Sequence, residues 1–180
     1  MKKLVITVII VFAAIVYAGS KNDDPSIKLV QEAERFSSYI NNADYMNVAS
    51  MMEPRMVKAI GGQSSAAELV ESIFTSEMLV DSFLNMEFKN PDSIIIINGT
   101  LAAVVPYDST LKMDGSLYTH ESFYIATSPD EGENWYFSDG NGVHKDNGAN
   151  KDKLLNFLIP GYGGELTFPS EKTPYENSEQ

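Results

Sequence analysis

Between Leu117 and Ile125 the chain reads LYTHESFYI, and alternation along an extended strand puts Tyr118, His120, Ser122 and Tyr124 on one face. An imidazole flanked by phenols is suited to acid–base work, with His120 as acid or base and the tyrosines as hydroxyl donors to a bound molecule. Tyr118, His120 and Tyr124 are therefore the candidate ligand-binding residues. The same pattern also fits, and more readily, a face that meets solvent or lies under the C-terminal segment. Leu117, Thr119, Glu121, Phe123 and Ile125 take the other face, and a slip of one residue would exchange the two.

A catalytic pair needs a carboxylate beside the imidazole. Asp81, Asn85 and Glu87 fall on the polar side of an upstream strand, so His120 with Asp81 or Glu87 is the pair to look for. Spacing alone assigns no catalytic residue. His120 and His144 are the two histidines, and neither stands at i+3 or i+4 from another zinc-type ligand. Between Asp139 and Asp152, the residues Asp139, Asn141, Asp146, Asn147, Asn150 and Asp152 offer oxygen donors for Ca²⁺. That loop fails the EF-hand pattern, with His144 at the glycine position and Asn150 at the final glutamate position. Phosphate-binding glycine motifs are absent, so neither metal nor cofactor is expected.

Immediately downstream, Ser128-x-Asp130-x-Gly132-x-x-Trp135 has the spacing of the Asp-box found in sialidases and related propellers. Each residue has a mechanical part in a hairpin turn. Asp130 accepts backbone N–H groups, Gly132 takes a positive φ, and Trp135 re-enters the strand and packs beneath. A propeller requires several four-stranded blades, whereas this chain has one copy of the motif behind a run of helices. The expectation is a turn with no chemistry of its own.

The elements that must position these residues follow a leader. Lys2 and Lys3, the apolar run Leu4 to Val16 and the small-residue pattern Val16-Tyr17-Ala18 make residues 1–18 a secretory signal peptide. A single domain of residues 19–168 and a structureless tail of residues 169–180 are expected to follow. Cleavage would leave a protein in the periplasm or outside a bacterial cell, with no membrane attachment. Cysteine is absent, which removes disulfides, thiol chemistry and a lipid-anchored N-terminus. Losing Lys2 and Lys3 takes the net charge from −12 to −14, a balance that repels nucleic acid.

Asp24-Pro25 opens a helix whose Leu29, Val30, Ala33, Phe36 and Ile40 share a face. A second carries Tyr45, Val48, Ala49 and Met52; Pro54 closes it and opens a turn ending at Gly61-Gly62. A third begins at the capping-box spacing Ser65 to Glu68 and places Ala66, Leu69, Val70, Ile73 and Phe74 together. The period then falls to two. Val80, Leu84, Met86 and Phe88 form one face of a strand, and the run Ile94 to Ile97 predicts a strand covered on both faces. Asn98-Gly99 is a hairpin turn first and a glycosylation sequon with Thr100 only second. Long strands on either side of Asp114-Gly115, a strand after Trp135 and a short helix around Leu154 to Leu158 complete the chain.

Helices followed by an antiparallel meander make an α+β domain. Four stretches, AERFSSYINNADYMNVASMMEP, AIGGQSSAAELVESIF, INGTLAAVVPY and DEGENWYFSDG, resemble the nuclear transport factor 2-like, or steroid-isomerase-like, superfamily over roughly residues 30 to 140. The resemblance implies three N-terminal helices packed on a strongly curved, mainly antiparallel sheet, a cone with a cavity. Members include isomerases, dehydratases, enzyme subunits and ligand-binding or immunity proteins, so fold does not select a function. Lacking a matching pair of acidic groups, the chain reads as an exported, non-catalytic domain. It would bind a small apolar ligand, or a protein partner, through the cavity or its mouth. The alternative is a small-molecule isomerase, dehydratase or hydrolase, and a homodimer through the exposed sheet face is a further expectation from the resemblance.

Overall fold

The computed structural model describes residues 24–75, 82–113, 115–140, 143, 148–169 and 176–177. The expected leader, Asp81, Asp114, His144 and Asp146 lie outside these residues. The architecture is α+β. Among the described residues, helices α1 (Pro25–Asn41), α2 (Tyr45–Ser50), α3 (Pro54–Ile60) and α4 (Gln63–Thr75) precede the sheet, and α5 (Gly148–Leu158) follows its main strands.

Helix α1 starts as its sequence dictates, with the Asp24 carboxylate accepting the Ser26 N–H at 3.0 Å and Pro25 in the first turn. It buries Leu29, Ala33, Phe36 and Ile40 against the sheet. One expectation fails at Pro54. The seven residues after Glu53 form helix α3 and not a turn, because the Glu53 side chain caps the Arg55 and Met56 N–H groups at 2.7 and 3.0 Å. Proline behind a capping acid opens a helix as readily as it closes one. Among the described residues, four helices therefore stand before the sheet where three were expected. Gly61, at φ 113°, ends α3, and α4 begins at Gln63, two residues ahead of the anticipated cap.

The sheet is antiparallel throughout and open. Its centre is the hairpin of β3 (Thr100–Met113) and β4 (Ser116–Ser128), paired from Leu101↔Ser128 to Met113↔Ser116. The outer edge of β3 carries β1 (Ser82–Phe88) and β2 (Ile94–Ile97), and that of β4 carries β5 (Tyr136–Asp139) and β6 (Glu176–Asn177). β6 lies within the segment expected to lack structure and pairs with Tyr118 and Thr119. Asn98 and Gly99, at φ 50° and 83°, form the two-residue turn between β2 and β3. The Asn98 side-chain amide donates to the Pro160 carbonyl at 2.9 Å, which accounts for the residue without a glycan.

In β1 the alternation breaks. The register shifts between Phe83 and Asn85, so Phe83 joins Met86 and Phe88 against the core while Leu84, expected inside, is 48% exposed. The outer backbone of β1 is then covered by α1. Asn41 Nδ2 donates to the Met86 carbonyl at 3.0 Å, Asn41 Oδ1 accepts the Met86 N–H at 2.9 Å, and Ser37 Oγ donates to the same carbonyl. A side-chain amide thus occupies hydrogen-bonding groups that an edge strand would otherwise offer to another chain.

Both faces of the β3–β4 hairpin are covered. Leu101, Ala103, Val105, Tyr107 and Ala126 belong to the core under α1 and its neighbours. Ala102, Val104, Phe123 and Ile125 face the other way, into a second core with Leu155, Leu158, Ile159 and Leu166. The isoleucine run follows the same division, Ile94 against the first core and Ile95 and Ile97 against the second, except that Ile96 is 72% exposed.

Candidate functional site

The face of the sheet under α1–α4 is not filled. A pocket of about 440 Å³ opens there, a size typical of small-molecule sites. Its walls are apolar: Phe36 from α1, Val70, Ile73 and Phe74 from α4, Phe83 and Met86 from β1, with Met52 and Met56 between. Ile40, which shares the apolar face of α1 with Phe36, is absent from the lining and buried in the core instead. Leu69 and Ile73 are 43% and 47% exposed and lie at the rim.

One side of the pocket is polar, and the register explains its composition. His120 lies opposite Ser109, Tyr107 opposite Ser122, and Tyr124 opposite Asp139. Directly opposed residues project to one side of a sheet, so three strands deliver Tyr107, Ser109, His120, Tyr124 and Asp139 to the same space. The Ser109 hydroxyl donates to the His120 carbonyl at 3.3 Å, joining the strands at that level. Tyr107 and Tyr124 pack with ring centroids 5.1 Å apart, and Tyr124 stands edge-on to Phe36 at 5.2 Å.

Burial sets the protonation of this group. It lowers the pKa of His120 below the ordinary histidine value, against the opposing pull of the Asp139 charge, so the imidazole is neutral at pH 7. Burial pushes Tyr107 up to about 12, partly offset by its hydrogen bond with Ser122 and reinforced by Asp139. Tyr124 is raised well above 10 by burial, then by Tyr107 and Asp139. Both phenols therefore keep their protons throughout the physiological range.

Of the candidate residues, the structure places His120 and Tyr124 in the pocket lining. Tyr118 falls on the same strand face by alternation but opposite Leu111, next to β6, and does not line the pocket. The pairing of His120 with Glu87 does not form. Glu87 lies opposite Asp108, which lies opposite Glu121, so these acids share the far face of the sheet. There Lys89 Nζ meets Asp108 Oδ1 at 2.7 Å and Glu121 Oε1 at 3.7 Å. The carboxylate that does reach the histidine's neighbourhood is Asp139, weighed from sequence only as a loop ligand. Its signal was its position four residues past Trp135 in a strand that must pair with β4.

The Asp-box stretch lies between β4 and β5. Ser128 Oγ donates to Asp130 Oδ1 at 2.8 Å and accepts the Gly132 N–H at 2.9 Å, while Asp130 Oδ1 accepts the Asn134 N–H at 3.0 Å. Burial works to raise the Asp130 pKa, but the hydrogen bonds from Asn134 and Ser128 outweigh it and the group ends below its ordinary value. Gly132 adopts φ 96°. Trp135 is buried in the first core, and its indole N–H finds no acceptor among the described residues. Its contribution is packing.

Among the described residues no group of three or more histidine, cysteine or acidic side chains is arranged to hold a metal ion. No helix among them is long and apolar enough to cross a membrane. No family model matches the chain, and no curated protein and no solved structure matches it.

Proposed function

We propose that this chain is an exported, non-catalytic binding domain of the nuclear transport factor 2-like kind. Its pocket takes a small, mainly apolar molecule with a polar group at one end. The observation that carries the reading is the division of the lining: aliphatic, methionine and phenylalanine side chains on the helices and β1, and a cluster of neutral hydrogen-bonding groups with one carboxylate on β3, β4 and β5. Pockets of this kind obtain affinity from the apolar wall and orientation from the few polar groups. A protein partner reaching the mouth would meet Leu69 and Ile73.

A thermal-shift screen of hydrophobic amines, alcohols, acids and steroids tests the proposal. A true ligand at 100 times its Kd stabilises by about 2.7 kcal/mol, and His120→Ala should reduce that gain while leaving the fold intact. Failure of every compound removes small-molecule binding and leaves the partner surface. The position of His120 beside Asp139 favours one alternative, a small-molecule isomerase, dehydratase or hydrolase with His120 as base. Turnover of any hit by the parent, lost in His120→Ala while binding persists, would establish catalysis. Export is tested by mass spectrometry, which should find a mature N-terminus near Gly19; a full-length, membrane-retained product would overturn it.

A further inference from the structure

Helix α3 differs from its neighbours in how it is held. Helices α1, α2 and α4 each bury residues, whereas none of the residues of α3 is buried. Yet α3 supplies Met56 and Ile60 to the pocket lining. Towards α2 and α4, its Val57 and Ile60 rest on Ala49, Ala66 and Ala67, a smooth surface with short side chains to interlock. The segment before the helix is anchored: the Met51 carbonyl accepts the Phe137 N–H of β5 at 2.8 Å, and Glu53 is buried. After the helix come Gly61 and Gly62, at φ 113° and 105°, where the chain can change direction without a side chain in the way.

The tie from α3 to the opposite layer runs through Arg55. Its Nε donates to Glu53 Oε1 at 2.6 Å, its Nη2 donates to the Leu158 carbonyl at the end of α5 at 3.1 Å, and its guanidinium lies 4.8 Å from the centre of the Phe157 ring. Arg55 and Phe157 are 46% and 40% exposed, so water competes for these contacts. The next residue, Met56, packs against the second core and also lines the pocket. A segment with no buried residue and solvent-exposed ties opens before the rest of a fold does. We infer that α3 is a gate on the pocket, pivoting between Glu53 and Gly61-Gly62 and latched by Arg55 onto the end of α5. Opening lifts Met56 and Ile60 from the lining and leaves α1 and the sheet in place. The gate rests on the pocket-binding reading for what passes through it, while its motion is a property of the helix alone.

Native-state hydrogen exchange on the full chain tests the motion without a ligand. The amides of Lys58, Ala59 and Ile60 should exchange at least about tenfold faster than those of Val70 in α4 and Ile125 in β4. Phe157→Ala, a change on another helix, should speed the α3 amides by about threefold more and leave Val70 and Ile125 unchanged; Arg55→Ala should act in the same direction and more strongly. Exchange of α3 at the rate of Val70, or no response to Phe157→Ala, overturns the gate. Stopped-flow fluorescence with N-phenyl-1-naphthylamine, a neutral apolar probe, then tests passage. Phe157→Ala should raise the association and dissociation rate constants together, by about threefold, with Kd within about twofold of the parent's. Unchanged rate constants with the probe bound overturn the gate and leave pocket binding standing. No binding of the probe to the parent counts against pocket binding itself, and the gate then loses its role whatever the exchange shows.

Discussion

On the α5 side of the sheet, Phe123, Ile125, Leu155, Leu158 and Ile159 are each at most 1% exposed, whereas on the α1–α4 side Tyr107, Tyr124 and Phe137 border open space. The same two strands supply both faces. The difference lies in what covers them: α5 and the residues up to Phe168 pack against Ala102, Val104, Phe123 and Ile125, and beside them Phe123 leaves Gly140 no room for a side chain. A β-carbon there would sit 2.2 Å from the Phe123 ring. Across the sheet, the long side chains of Phe36, Phe74 and Phe83 hold helices and strands apart. Beneath α5 the one face is a closed core, the other holds the lined pocket, and substitutions should separate them.

The largest contrast is between Phe123 and Ile73. Phe123→Ala removes a fully buried ring from the closed face and should cost about 3–5 kcal/mol. Ile73→Ala, at the exposed rim of the pocket, should cost less than about 1 kcal/mol. Urea unfolding of both variants measures this, and equal losses would mean that the pocket face is packed as tightly as the other.

Alkaline pH should act on the pocket face through Tyr107. Tyr107 is raised from 10 to about 12 in the folded protein, so between these values the unfolded chain loses its proton first. Stability is complete below pH 10 and is lost as pH rises through the folded value, on the order of 2–3 kcal/mol for this phenol. Tyr107→Phe removes that dependence, so its unfolding midpoint should fall less steeply than the parent's above pH 10. Parallel curves would show that the phenol is solvated.

Next in size is the turn that leads to both faces. Asp130→Ala deletes the acceptor for Asn134 and Ser128, and Gly132→Val places a side chain at φ 96° with its β-carbon 3.0 Å from that of Pro25. Each should destabilise by about 1–2 kcal/mol. Ligand binding should persist wherever the variants remain folded. Unchanged midpoints in denaturant would show that the motif is not a structured turn.

How far such features can be read from sequence depends on whether they are local. Asp24-Pro25, Asn98-Gly99 and the stretch from Ser128 to Trp135 encode their geometry within a few residues, and each forms the cap or turn its composition dictates. Glu53-Pro54 was ambiguous because a proline after a helix and a proline inside the next one look alike. The irregularity at Phe83 to Asn85 was invisible: one residue out of register turns Leu84 outward, and nothing in the alternation marks it. The site was half legible for a related reason. Period-two patterning sorts His120 and Tyr124 onto one face, but only the pairing of strands brings Asp139 opposite Tyr124 and Ser109 opposite His120, and sends Glu87 to the far side.

The smallest effect expected belongs to His120, and it distinguishes a pocket histidine from a surface one. Burial lowers its folded pKa, so as pH falls from neutrality the unfolded chain, titrating near 6.5, takes up a proton before the folded protein does. Stability associated with the neutral imidazole is therefore present above about pH 6.5 and is lost as pH falls from there to the folded value. Asp139 works against this by favouring the imidazolium, which keeps the effect modest. His120→Gln abolishes the titration while retaining hydrogen-bonding groups at the site. Denaturant midpoints of parent and variant, measured at half-unit steps from pH 7.5 down to 5, should draw together, the parent losing more than the variant. A difference that stays constant over this range would place His120 in solvent and weaken its assignment to the pocket's polar side. A difference that widens would mean that Asp139 dominates and the site holds an imidazolium.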